Sequence, residues 1–138
     1  MRRLLPVFLL FAVAACGSDA SPTATTSSAP YSQVDLVVGT GATAVAGKSC
    51  SVNYGLWLYD SSKTDGKGTL VQQSTSPFAF VLGAGGVIPG FTQGVTGMKV
   101  GGQRRLIIPP ELAYGSAGTS GIPPNATIVY DITLLSVV

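Results

Sequence analysis

Two stretches of this chain alternate apolar and polar side chains with the two-residue period of a strand. In one, Val52, Tyr54, Leu56 and Leu58 alternate with Ser51, Asn53, Gly55 and Trp57; in the other, Ile128, Tyr130, Ile132 and Leu134 take the same spacing. Successive strand side chains point to opposite faces, so each stretch has one face to bury, and the chain must fold as a sheet packed against something. Shorter strands are expected at Val34 to Val38, Phe78 to Leu82 and Arg104 to Ile108, each bounded by Gly, Pro or polar turn residues. Between the third and fourth strands in chain order, Pro89 to Met98 offers Pro at a first helical position. Phe91, Val95 and Met98 follow at three-to-four spacing, with Gly97 and Gly101 near the end. The expected architecture is α+β, an antiparallel sheet of about five strands wrapped around one short α-helix. No internal repeat is present.

The first 32 residues lie outside that domain. Met1-Arg2-Arg3 precedes an apolar stretch from Leu4 to Ala15, which is shorter than the about 20 residues of a spanning helix, and Val13-Ala14-Ala15 leads into Cys16. This is the form of an export signal, and it resembles that of a bacterial lipoprotein. The resemblance implies cleavage before Cys16, a diacylglyceryl thioether and an acylated amine on Cys16, and stable anchoring in a membrane. An ordinary cleaved signal with an incidental cysteine is the plainer alternative. From Gly17 to Ser32, Ser, Thr, Ala and Pro dominate, too polar and small to offset the entropy of ordering. The expected organisation is a signal over 1–15, a lipidated Cys16 with a flexible tether over 16–32, and one domain over 33–138, exported and lipid-anchored to the bacterial cell envelope.

Charge and absent residue types exclude several functions. Eight basic residues against six acidic ones give a formal +2, which Arg2 and Arg3 supply. The mature chain is therefore near neutral, without the basic footprint that nucleic acid requires; Arg104-Arg105 makes only a small local patch. The absence of histidine removes Ser-His-Asp and Cys-His catalysis and the His-containing zinc sites. The acids are scattered and form neither a metal cluster nor a recognisable acid/base pair, so no metal or cofactor is expected. With Cys16 lipidated, Cys50 is the only thiol, and its apolar strand context reads as buried and inert.

Two nucleotide signatures also fail on context. Gly39-Thr40-Gly41-Ala42-Thr43-Ala44 matches a dinucleotide-binding turn, and Ala42 to Ser49 approaches a phosphate-binding loop. Both mechanisms need a helix N-terminus directly after the loop. Here the chain is strand-patterned up to Tyr59, and a glycine-containing turn between strands accounts for both.

What remains is an ordered series of apolar phrases. Val87-Ile88-Pro89-Gly90-Phe91 is followed by Gly94-Val95, Met98, Val100-Gly101-Gly102, Ile107-Ile108-Pro109 and Leu112-Ala113-Tyr114-Gly115. After a loop rich in glycine and proline comes Pro123-Pro124-Asn125-Ala126-Thr127-Ile128-Val129-Tyr130-Asp131. This is the composition of an apolar pocket. From roughly Gln33 to Val138 the series resembles the FKBP-type peptidyl-prolyl cis-trans isomerases. The resemblance implies an FKBP-like fold, a monomer, and isomerisation of prolyl bonds in proline-containing unfolded or exported polypeptides. It also implies rapamycin-class macrolides as ligands of the same pocket.

By the same resemblance Tyr54, Phe78, Ile88, Tyr114 and Tyr130 match the catalytic positions, and Val71, Gln72, Val87, Phe91 and Ile122 match substrate-binding ones. Phe91 would be the pocket floor in place of the family's indole. The Ile88 N–H and the Tyr114 hydroxyl would hydrogen-bond the substrate backbone, while Tyr54, Phe78 and Tyr130 supply walls. One departure stands out: where the family carries Phe-Asp-Ser-Ser, this chain reads Leu70-Val71-Gln72-Gln73-Ser74, which puts Val71 in place of the aromatic and Gln72 in place of the acid. Tyr59-Asp60-Ser61-Ser62 repeats the phrase, but too soon after Tyr54, at the start of a polar stretch from Asp60 to Gly68 that reads as a surface loop. The lost acid supports a rival reading, a non-catalytic chaperone or proline-peptide-binding module that uses the same apolar groove.

Overall fold

A computed structural model describes residues 28–138. Its elements run β1 (Ser32–Val37), β2 (Ser49–Tyr59), β3 (Lys67–Gln73), β4 (Phe78–Val81), α1 (Pro89–Val95), β5 (Gln103–Ile108) and β6 (Ile128–Val137). The signal, Cys16 and most of the tether lie outside the described residues. The class is the expected α+β, with six strands in one antiparallel sheet. Their order is β1-β5-β6-β2-β3, with β4 also paired to β2.

The two alternating stretches are the centre of this sheet. Val52 lies opposite Leu134, Tyr54 opposite Ile132, Leu56 opposite Tyr130 and Leu58 opposite Ile128, so the apolar side chains of β2 and β6 share one face. β5 extends that face, with Leu106 opposite Tyr130 and Ile108 opposite Ile128. Val52, Leu106, Ile108, Ile128 and Ile132 are wholly buried beneath α1, whose Phe91 and Val95 complete the core with Met98 just beyond the helix.

The helix rests on β5 through glycine. A methyl group at Gly90 would overlap Ile108, and one at Gly94 would overlap Leu106, so the helix axis approaches the sheet more closely than any larger residue allows. Arg104, the next inward residue of β5, ties down the helix end. Its Nη1 donates to the carbonyl oxygens of Gly94 (2.8 Å) and Thr96 (3.3 Å), and its Nε donates to Asp35 Oδ1 on β1 (2.6 Å). These carbonyls belong to the last turn, which has no intrahelical donor to satisfy them. The helix is shorter than the expected span to Met98, because Gly97 takes φ +87° and turns its N–H to Ala44 O (2.9 Å).

β3 was absent from the sequence expectation. Residues 60–66 form the turn, but Lys67 already pairs with Tyr59 of β2, and Gly68 belongs to β3. β3 and β4 take successive halves of the same β2 edge, β4 along Ser49 to Val52 and β3 along Gly55 to Tyr59. In the gap between them the Tyr54 N–H donates to Ser74 Oγ and the Ser74 N–H donates to Tyr54 O, each at 2.9 Å.

The glycine-containing stretch before β2 leads into no helix. A side chain at Gly39 would collide with the backbone of Lys99, Val100 and Gly102, and Thr43 bridges Lys99, so the segment is packed flat against the chain after α1. Cys50 is buried, and burial pushes its thiol pKa up, which disfavours the reactive thiolate. Among the described residues no three His, Cys, Asp or Glu side chains are grouped to hold a metal ion.

Candidate active site

A cavity of about 310 Å³ opens above α1 on the inner face of the sheet. That volume lies near the lower end of the about 300–1,000 Å³ typical of small-ligand pockets, room for one ring and its flanking peptide groups. Five elements and two connections meet here. β2 contributes Tyr54, β3 Gln72, β4 Phe78, α1 Phe91 and β6 Tyr130, while the turn entering the helix adds Gly86, Val87 and Ile88 and the loop after β5 adds Tyr114. The rings of Tyr54, Phe78 and Tyr130 follow from strand alternation and that of Phe91 from the helix starting at Pro89, whereas Tyr114 is placed by a loop.

Phe91 lies at the base, 3% exposed. Three rings meet it edge-on: Tyr130 at 5.2 Å between centroids, Phe80 at 5.2 Å and Tyr54 at 6.4 Å, with interplanar angles of 75°, 68° and 82°. Tyr54 also contacts Tyr130 (5.7 Å) and Phe78 (6.1 Å). Edge-to-face contacts match the positive ring edge to the negative ring face, and together they fix the cavity's shape without strong polar bonds.

The polar groups of the wall are few. No lysine, arginine, aspartate or glutamate lines it. Burial, reinforced by the neighbouring Tyr114 and Tyr54 phenols, pushes the Tyr130 pKa far above that of free tyrosine, so its hydroxyl stays protonated. Ile88 stands at the N-terminal boundary of α1 in an extended conformation (φ −62°, ψ 150°). Its carbonyl accepts from the Phe91 and Thr92 N–H groups at 3.1 and 3.3 Å, whereas its own N–H donates to no acceptor among the described residues. A backbone donor is thus left open at the rim of an apolar cavity, where a ligand carbonyl is the natural partner.

Tyr114 is placed by a loop that closes on itself. The Gly115 N–H donates to Pro110 O (2.8 Å), the Gly118 N–H to Tyr114 O (3.1 Å), and the Asn125 N–H to Gly115 O (2.8 Å). Thr119 and Ile122 exchange backbone hydrogen bonds at 3.0 and 2.9 Å to shape its tip.

The matching protein-family model, over residues 41–135, is that of the FKBP-type peptidyl-prolyl cis-trans isomerases. The chain belongs to this family. It is 42% identical over 104 residues to an FK506-binding protein of Neisseria meningitidis, an alignment that takes in 75% of this chain and 92% of the relative. It is 48% identical over 107 residues to the chloroplastic peptidyl-prolyl cis-trans isomerase FKBP16-4 of Arabidopsis thaliana, covering 75% of this chain but 46% of that longer protein. Against curated relatives of this second kind the chain spans less than half their length. The crystal structure of AtFKBP13 superposes with a TM-score of 0.66 at 34% identity, covering 77% of this chain and 91% of that one.

Within the FKBP-type domain, eight of the ten residues matched from the sequence stand on one cavity wall: Tyr54, Gln72, Phe78, Val87, Ile88, Phe91, Tyr114 and Tyr130. Val71 and Ile122 do not line it. Ile122 is 3% exposed within the core, and Val71 packs against Gly121 at the tip of the Tyr114 loop. Both support the wall from behind. Gly86, which sequence reasoning passed over, lines the cavity with φ +83°, a conformation that favours glycine and brings backbone to the rim. The signal for it was present in the run Gly83-Ala84-Gly85-Gly86 before the pocket phrase.

Proposed function

We propose that this chain is a peptidyl-prolyl cis-trans isomerase acting on proline-containing segments of exported polypeptides, anchored through a lipidated Cys16. The observation that carries the catalytic part is the aromatic cavity without charged groups, rimmed by the unpaired Ile88 N–H. Rotation about a prolyl bond faces a barrier of about 20 kcal/mol from amide resonance, and each tenfold acceleration requires lowering it by about 1.4 kcal/mol. No bond is made or broken. Twisting the amide removes resonance and with it charge separation, so an apolar, water-excluding cavity favours the twisted state over the planar one. In this reading Phe91 receives the prolyl ring, Tyr54, Phe78, Val87 and Tyr130 enclose it, and the Ile88 N–H and Tyr114 hydroxyl hold the chain on either side. Rapamycin-class macrolides would occupy the same space.

Gln72 favours a second reading, because the position that carries an acid in the family holds a neutral amide on this wall. The domain would then hold proline segments without accelerating their rotation. Refolding of an unfolded protein whose slow phase is set by a prolyl bond separates the two. The isomerase shortens that phase catalytically at substoichiometric amounts; a holding module leaves its rate unchanged or delays folding in proportion to its concentration. For the anchor, the support is the Val13-Ala14-Ala15-Cys16 phrase. Incorporation of labelled fatty acid that Cys16→Ala abolishes is the expected result, and incorporation unaffected by that change would remove the proposal.

A further inference from the structure

A second cavity, of about 430 Å³, lies along β3 from the proline cavity and is walled by Tyr59 at the end of β2, Asp60 and Ser62 of the β2–β3 turn, Thr69 of β3, Pro123 of the Tyr114 loop, and Thr127 before β6. The two cavities share β3: Gln72 faces the first and Thr69 the second. Between them Val71 lies against Gly121, a low ridge joining strand to loop. Three residues of extended chain separate Thr69 from Gln72, about 10 Å. A polypeptide seated in the first cavity therefore reaches the second within three or four of its own residues.

The wall of this cavity has a distinct chemistry. Asp60 is its one charged side chain. Its Oδ1 accepts from the Ser62 N–H (2.9 Å) and the Ser62 hydroxyl (2.6 Å), and these bonds hold its carboxyl below the usual aspartate pKa, so it is an anion at neutral pH. Lys63 of the same turn also favours its charge, but forms no ion pair with it among the described residues. Thr127 is 2% exposed, and its hydroxyl is the buried side-chain polar atom without a hydrogen-bond partner among the described residues. Such an atom carries a desolvation cost within the wall of the cavity. Leu58, Tyr59 and Pro123 add apolar surface of the kind along which a long aliphatic stem lies.

We infer that this cavity is a second subsite for the client polypeptide, receiving a lysine or arginine side chain three or four residues from the proline in the first cavity. The inference rests on the proline-binding reading of that first cavity. Asp60 supplies the attraction, and Leu58, Tyr59 and Pro123 the apolar surface for the stem. The phrase Tyr59-Asp60-Ser61-Ser62 thereby acquires a role in client selection.

The test uses peptides built on Ala-Leu-Pro-Phe that carry lysine, or norleucine as its uncharged counterpart, at the third or fourth position on either side of the proline. Binding is read by fluorescence anisotropy. In one of these placements lysine should bind about three- to fivefold more tightly at low salt, the range of a part-exposed ion pair, and lose that advantage as salt screens it. Asp60→Asn should bring the lysine-to-norleucine ratio to one, whereas Asp65→Asn, a charge removed from the same turn but off this wall, should preserve it. Binding of norleucine peptides with no lysine preference in any placement overturns the subsite and leaves the proline cavity standing. Equal loss of preference in both variants also overturns it, in favour of a diffuse field. If no peptide binds, the proline-binding reading fails and the subsite falls with it.

Discussion

Gly94 sits directly over Leu106, so close that a methyl group on Gly94 would overlap the leucine side chain. The distance between α1 and β5 is thus set by the absence of a side chain, and α1 carries Phe91, the base of the cavity. Gly94→Ala should lower stability by about 1–3 kcal/mol through overpacking. Because the helix must shift outward, peptide binding should weaken as well. Chemical denaturation and peptide titration measured on the same preparation check both effects; an unchanged midpoint would mean that Leu106 yields freely.

Tyr114→Phe removes almost no volume from a residue whose backbone the loop's own hydrogen bonds fix, and takes away one hydroxyl, which also bonds the Tyr130 hydroxyl. A single hydrogen bond contributes about 0.5–1.5 kcal/mol net, so turnover should fall about two- to tenfold, a larger effect than the loss of stability from the Tyr130 contact. Steady-state isomerisation kinetics decide it. Unchanged turnover would take Tyr114 out of the substrate-binding set.

Asp131 on the outer face of β6 gives a pH dependence. Burial opposes its charge, but hydrogen bonds from Arg105 (2.7 and 2.9 Å) and Lys67 (3.1 Å) outweigh that and hold its carboxyl below the usual carboxylate value. A carboxyl whose pKa is depressed by folding stabilises the fold above its unfolded value, about 3.9, and that stability is lost as pH falls through the lower folded value. Asp131→Asn should therefore be less stable than the parent at pH 7. The gap should close as pH falls below about 4, as read from denaturation midpoints across pH.

Thr127→Val replaces a buried hydroxyl that has no partner with a methyl of similar shape. Stability should rise by about 1 kcal/mol, since the desolvation cost of an unpaired hydroxyl disappears. Thermal unfolding tests this, and a fall in Tm would show that the hydroxyl is satisfied in solution.

The parts of the fold legible in the sequence are those where side-chain period decides the outcome. Val52 to Leu58 and Ile128 to Leu134 alternate because one face is buried, and Pro89 marks the helix start because its missing N–H costs nothing there. β3 was illegible for the complementary reason. It is an edge strand whose residues are mostly exposed or half-exposed, with register shifts against β2 at Leu56/Trp57 and Trp57/Tyr59, so no burial period is imposed on Lys67 to Gln73. At the candidate site, the aromatic positions rested on the resemblance of the motif series, and strand and helix phase account for all of them but Tyr114, which a loop places. Ile122 and Val71 stand off the cavity lining, and their direction depends on how the Tyr114 loop folds back onto β3, a contact with no local sequence period.

An apolar aromatic cavity with Gln72 in place of an acid should still lower the barrier to prolyl rotation. The most direct test of this is the cis-to-trans relaxation rate of an Ala-Leu-Pro-Phe peptide, followed without a coupling protease, with and without residues 30–138. The rate should rise in proportion to protein concentration and return to background when a rapamycin-class macrolide is added. A rate fixed at background, with the folded domain still binding the peptide, would contradict it and leave a binding module in its place.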